Sequence, residues 1–184
     1  MERDEYLAIV KTRMPEKRYI HTIGVMETAC ALAKRYDEDI TSAETAAILH
    51  DIAKYADEDL MRQIVKENGL DARLLSWGSE ILHGPVGAWI AEHEFNIRNE
   101  DILNAIRFHT TGRAGMSKLE KIIYIADMIE PNRNFPGVEA LREAAKENLD
   151  EAMEQCISHS MLFLVQTKQP IFPVSVECFN DVVS

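Results

Sequence analysis

The stretch Ile122-Ile123-Tyr124-Ile125-Ala126-Asp127-Met128-Ile129 narrows the folds open to this chain more than any other. It follows Ser117-Lys118-Leu119-Glu120, a capping-box pattern that opens a helix, and it stops before Pro131. The intervening helix is apolar nearly all round, so it belongs inside a larger assembly and not on its rim. An ionised carboxylate there is costly unless it is paired or bound to metal. Asp127 therefore requires a partner, and arginine, histidine or a metal ion could serve.

The remaining periodicity supplies the surroundings. Helices are expected over about residues 4–13, 15–36, 41–54, 57–67, 85–94, 99–109, 138–147 and 150–168. Pro15 and Pro85 suit first helical turns, and Thr41-Ser42-Ala43-Glu44 reads as another capping box. Asp57 and Asn99 can cap, and Asn68-Gly69 can stop a helix. No segment alternates as strands joined by tight turns do. The tail Pro170-Ile171-Phe172-Pro173-Val174 reads as an extended apolar segment laid on the bundle. With 46% hydrophobic residues among 184, residues 1–184 can close one core as a single all-α domain.

Charge restricts the partners. The formal charge of -11 repels nucleic acid and anionic membranes. An anionic small molecule could bind only where positive charge is gathered, and metal ions gather it well. Cys30, Cys156 and Cys178 have no metal-ligand spacing and read as reduced thiols, Cys30 and Cys156 as small core residues. The charged start, Met1-Glu2-Arg3-Asp4-Glu5, lacks an apolar signal region, so the expected compartment is the cytoplasm. Homodimer formation is left open.

His50-Asp51 closes the apolar run Ala46-Ala47-Ile48-Leu49, which places imidazole and carboxylate together at a helix end. Such a doublet arises by chance in roughly one chain in five of this length, so alone it decides nothing. Lys54 follows one turn later, where an ammonium suits a phosphate oxygen. His21 has apolar flanks, with Arg18 one turn earlier. His83 precedes Gly84-Pro85 in what reads as a helix-entry loop. His109 precedes Thr110-Thr111-Gly112-Arg113, whose hydroxyls, backbone and guanidinium could hold phosphate. Taken singly, these histidines also fit core or capping roles. His93, between two glutamates, reads as a solvated surface residue. His159 gets no role. The loop from Pro131 to Gly137, with Asn132, Arg133, Asn134 and Phe135, is the irregular segment richest in functional side chains.

Taken together, His21, His50, Asp51, His83, His109 and Asp127 make four imidazoles and two carboxylates. That set suits iron, manganese, cobalt or zinc. Helical bundles build such sites from facing side chains, and a pair of ions can clamp a phosphoryl group.

In order and spacing these residues resemble the HD-domain phosphohydrolase superfamily. Within it the chain is similar to the YqeK-type hydrolases. The matching stretches are Arg18-Tyr19-Ile20-His21-Thr22-Ile23-Gly24-Val25, His50-Asp51-Ile52-Ala53-Lys54, Leu82-His83-Gly84-Pro85, His109-Thr110-Thr111-Gly112 and Ala126-Asp127-Met128-Ile129-Glu130-Pro131-Asn132-Arg133. The resemblance implies an HD-domain helical bundle with a buried dinuclear metal site. His21, His50, Asp51 and Asp127 would take a first metal, and His83 and His109 a second, with Asp51 bridging. It further implies iron, and hydrolysis of diadenosine tetraphosphate to two molecules of ADP. Asp51 and Lys54 are then the expected catalytic residues. Arg18, Lys54, His83, Thr110, Thr111 and Arg133 are the expected substrate contacts, with Arg113 a further cation. Two rival readings keep the helical fold: a nucleotidase acting on nucleoside mono- or diphosphates, and a non-catalytic nucleotide-binding module.

Overall fold

The apolar helix around Asp127 is the axis of the molecule. Its Leu119, Ile122, Ile123, Tyr124, Ile125 and Ala126 are all buried. The structure is a computed structural model that describes residues 2–184, so Met1 of the charged N-terminal segment lies outside it. Among the described residues ten α-helices follow one another: α1 (Arg3–Thr12), α2 (Glu16–Arg35), α3 (Ile40–Leu49), α4 (Glu58–Glu67), α5 (Ser79–His93), α6 (Glu100–Arg107), α7 (Lys118–Ile129), α8 (Val138–Glu147), α9 (Leu149–Gln166) and α10 (Pro173–Val182). No strand occurs among them, and no helix is long and apolar enough to cross a membrane.

α3 joins α7 at the centre, with Ala43, Ala46, Ala47, Ile48 and Leu49 buried. α2 packs on both, and α6 packs on α3, α5 and α7. α4 is a rim helix. Met61, Ile64 and Val65 form its single buried stripe, at spacings that fall on one helical face. Ser117 and Glu120 form the expected capping box at the start of α7, while Asp57 and Asn99 cap α4 and α6.

Several boundaries differ from the sequence expectation. Asp39, not Thr41, caps α3, accepting from the Ser42 amide at 2.6 Å. α3 ends at Leu49, and residues 50–55 continue as tight turns closed by bonds such as Lys54 N–H to Asp51 O, 2.9 Å. α5 begins at Ser79 and carries Pro85 inside it, so His83 projects from a helix and not from an entry loop. A 3₁₀ segment at Ala72–Ser76 was not foreseen. The tail is extended only in part: Phe172 has extended backbone, but Pro173 opens α10, which buries Val174, Ser175 and Cys178. Proline fits there because the first helical N–H needs no partner.

Candidate metal centre

Five helices and their ends converge on one point. α2 brings Arg18 and His21, and the turn after α3 brings His50 and Asp51. α5 brings His83, the turn after α6 brings His109 and Thr110, and α7 brings Asp127. His50, Asp51, His83 and His109 are buried to 3% exposure or less, and His21 to 8%. Asp127 is less enclosed than its apolar helix implied, since its side chain keeps 18% exposure.

The four imidazoles are oriented alike. Nδ1 of His50, His83 and His109 lies 2.6, 2.9 and 2.7 Å from the carbonyl oxygens of Ala47, Ser79 and Ile106. A carbonyl can only accept, so these nitrogens carry the proton. Nδ1 of His21 meets the buried Glu130 carboxylate at 3.0 Å. Each ring is thereby left with Nε2 as its free lone pair when neutral.

Those four Nε2 atoms surround Asp51. Oδ2 faces His50 at 3.2 Å and His21 at 3.8 Å, while Oδ1 faces His83 at 3.3 Å and His109 at 3.6 Å. His21 Nε2 also lies 3.0 Å from Asp127 Oδ1. Yet Nε2 of His21 and of His50 are buried without any hydrogen-bond partner. Imidazole lone pairs and carboxylate oxygens converge there, and those two nitrogens meet no donor, which is the arrangement a cation requires. Two groups draw close enough for one ion each: His21, His50 and Asp127, and His50, Asp51 and His109. His83 joins the second group through its Nε2, 3.0 Å from that of His109. The donor set fits divalent metal ions.

The charges behave accordingly. Burial alone would push the carboxyl groups of Asp51 and Asp127 up, but the facing imidazoles, with Arg133 beside Asp127, hold both well below the usual carboxylate range. Burial pushes the His109 imidazole down, favouring its neutral, ligating form.

The expected substrate contacts divide. Arg18 Nη1 reaches Asp51 Oδ2 at 3.0 Å. Arg133 holds the Asp127 carboxylate at 2.6 Å and its carbonyl at 2.7 Å. Thr110 Oγ1 sits 3.1 Å from Nε2 of His109 and 3.4 Å from that of His83. Lys54 does not point back to Asp51 as a helix would have placed it, because the chain turns there and Nζ pairs with Glu80 at 2.6 Å. Thr111 is buried and its hydroxyl donates to the Gly112 carbonyl, so it does not face the imidazoles. Arg113 is drawn off to the buried Glu120. The expected cluster of Thr110, Thr111 and Arg113 thus leaves only Thr110 at the centre.

Arg142 and Tyr55 escaped the sequence reading, and Glu130 and Phe135 were given no individual role in it. Glu130 fixes His21 and is itself held by the Asn132 backbone and side-chain amides at 2.7 and 3.0 Å. A side chain at Gly24 would run into Glu130 Oε2, so that glycine keeps the space for the carboxylate. The signal in the sequence was its place in the Glu130-Pro131-Asn132-Arg133 segment that follows the apolar helix. Arg142 of α8 donates to the carbonyls of Ile129, Glu130 and Arg133, each at 2.9 Å, and so pins the loop that carries both partners. Tyr55 and Phe135 wall an open groove of about 770 Å³ that also takes in Arg18, His21 and Arg133. His159 supports Phe135 from behind, ring centroids 4.7 Å apart.

The model of a family described as the HD domain matches residues 18–132, which span the centre from Arg18 to Asn132. The chain belongs to the HD-domain family. Similar proteins include one of Bacillus subtilis named "Bis(5'-nucleosyl)-tetraphosphatase, symmetrical", 48% identical over 184 residues, covering 100% of this chain and 99% of the relative. A Staphylococcus aureus protein of the same name is 47% identical over 174 residues, covering 94% of this chain and 90% of its own. Among solved structures, a Clostridium acetobutylicum protein described as a "predicted HD superfamily hydrolase involved in NAD metabolism" superposes with a TM-score of 0.94. It is 39% identical, with 100% of this chain and 97% of that chain covered.

Proposed function

We propose that this HD-domain protein is a metal-dependent hydrolase that cleaves symmetrical dinucleoside tetraphosphates, diadenosine tetraphosphate among them, to two nucleoside diphosphates. The observation that carries this reading is the likeness, at 48% identity and across the whole chain, to a relative that bears that activity in its name. The convergent imidazoles and carboxylates support it independently.

In this reading His21, His50, Asp51 and Asp127 would hold one ion, and His83 and His109 with Asp51 would hold a second, with iron the expected metal. When bound, such ions polarise phosphoryl oxygens and lower the pKa of water. The protein's own groups do the rest. The Ala47, Ser79 and Ile106 carbonyls and Glu130 keep the Nδ1 protons in place, so every Nε2 stays turned inward. Ionised Asp51 accepts a hydrogen bond from the attacking water and orients it toward the central phosphorus. A P–O bond to the water oxygen forms as the water gives up a proton to solvent, the central bridging P–O bond breaks with its electron pair going to the leaving diphosphate oxygen, and two diphosphates leave. Arg18, Arg133 and Thr110 meet the phosphate oxygens, where charge develops. Lys54 joins them by exchanging Glu80 for phosphate. The reaction is placed in the cytoplasm, where free thiols such as Cys30, Cys156 and Cys178 persist.

Chromatography of the products tests the reading. ADP as the sole product from diadenosine tetraphosphate is the expected result. A mixture of AMP and ATP would mean asymmetric cleavage. No turnover beside rapid hydrolysis of a nucleoside monophosphate would favour a nucleotidase, and no turnover of any nucleotide a binding module.

A further inference from the structure

A substrate with a nucleoside at each end needs two seats, and the groove walled by Tyr55 and Phe135 offers one. We propose that the cavity between α5, the α6–α7 connection and α10 seats the second nucleoside. This rests on the hydrolase reading above and extends it to the substrate's other half.

Position is the first reason. His21 lines the groove and lies 3.8 Å from Asp51. Asp51 lies 3.3 Å from His83, and His83 Nε2 lies 3.4 Å from the Thr110 hydroxyl. Thr110 in turn lines the cavity. The groove and the cavity therefore flank the metal centre on its His21 and His109 sides. A molecule seated in both lays its phosphates across Asp51.

The walls are the second reason. The cavity measures about 440 Å³, within the roughly 300–1,000 Å³ typical of small-molecule sites. Leu74, Phe108 and Phe172 make it largely apolar. The guanidinium groups of Arg107 and Arg113 lie 5.9 and 5.4 Å from the Phe108 ring centre. Guanidinium and aromatic faces stack well on a heteroaromatic base. Arg113 is neutralised by Glu120 and Arg73 by Asp71. Arg107 also lines the cavity; its side chain bonds to Asn104, and among the described residues it has no carboxylate partner. It is the cation left for a phosphate next to the ribose.

Seats on both sides of the centre also account for cleavage at the middle of the chain of four phosphates. One nucleoside held on each side presents the central bridge and not an outer one.

Titration calorimetry of the metal-loaded protein with ADP, the product that each seat would retain, tests the proposal. The wild type is expected to take up two ADP per chain. Phe108→Ala should bind the second at least tenfold more weakly and raise KM for diadenosine tetraphosphate by about the same factor. Arg107→Ala, at a half-exposed position, should do likewise, and it keeps the test usable should the Phe108 variant fail to fold. Saturation of the wild type at one ADP, or two unweakened sites in Arg107→Ala, overturns the second seat. If either result appears while the wild type makes ADP from the tetraphosphate, only this seat is lost. A wild type that never cleaves the tetraphosphate loses the hydrolase reading itself.

Discussion

Glu130 shows how much a single buried side chain can decide at this centre. It touches no second donor of the cluster, yet it sets which nitrogen of His21 carries the proton. Glu130→Gln keeps the shape and removes the charge. Metal titration is expected to show affinity about 10- to 100-fold weaker, the usual effect of losing such a partner. Unchanged affinity would mean that packing alone orients His21. His83 and His109 face only one oxygen of Asp51, so changing either to alanine should lower metal content toward one ion while circular dichroism remains helical. Two ions retained in both variants would remove them from the ligand set. Arg133 holds Asp127 and borders the groove. Arg133→Ala is expected to lower kcat/KM for the tetraphosphate by about one and a half to three orders of magnitude at constant metal content, for a lost contact worth about 2–4 kcal/mol. Steady-state kinetics beside elemental analysis checks this.

At the scale of elements, the end of α7 matters most. The last carbonyls of a helix lack partners within it, and here Arg142 of α8 supplies donors to Ile129, Glu130 and Arg133 at once. Arg142→Ala should cost about 2 kcal/mol, seen as a lower urea midpoint with an unchanged slope. Arg142→Lys should recover only part, because an ammonium lacks the planar fork that spans three acceptors. Full recovery with lysine would mean that charge, not geometry, holds the loop. Element boundaries were legible wherever caps and periodicity agreed, as at Ser117 and over Val138–Glu147, which the sequence placed to the residue. They failed where proline misled. Pro85 read as a helix start, but α5 holds it inside, its Gly84 pressed against the Arg107 carbonyl. Pro173 and the β-branched residues near it read as extended chain, but burial of Val174 and Cys178 makes a helix of that segment.

Across the whole molecule, folding and metal binding are linked. The centre gathers side chains from α2, α5 and α7 and from the turns after α3 and α6, so unfolding scatters every donor. An ion at about 100 times its dissociation constant adds about 2.7 kcal/mol, and for a domain of this size each kcal/mol shifts Tm by about 2–4 °C. Removing metal with a chelator is therefore expected to lower Tm by roughly 5–10 °C, restored on adding metal back. Scanning calorimetry of the two forms checks this, and equal Tm values would mean that the folded chain binds no metal in preference to the unfolded one. In the protein as described, Arg18 and Arg133 sit on Asp51 and Asp127, compensating the carboxylates. Metal loading would free both guanidinium groups for phosphate.

The sequence by itself determined the helical class, the apolar axis and the six residues that meet at the centre. Residue type and helical period are local properties, and a buried acid in an apolar helix has few physical solutions. Only the tertiary structure decided which neighbours face inward. Lys54, Thr111 and Arg113 carry the right chemistry at the right spacing, yet a turn, a carbonyl and a buried glutamate draw them away. Glu130 and Arg142 gave little sign of their roles, because each acts across a helix interface through partners far off in the chain. Direction of approach is a property of packing, which no local pattern encodes.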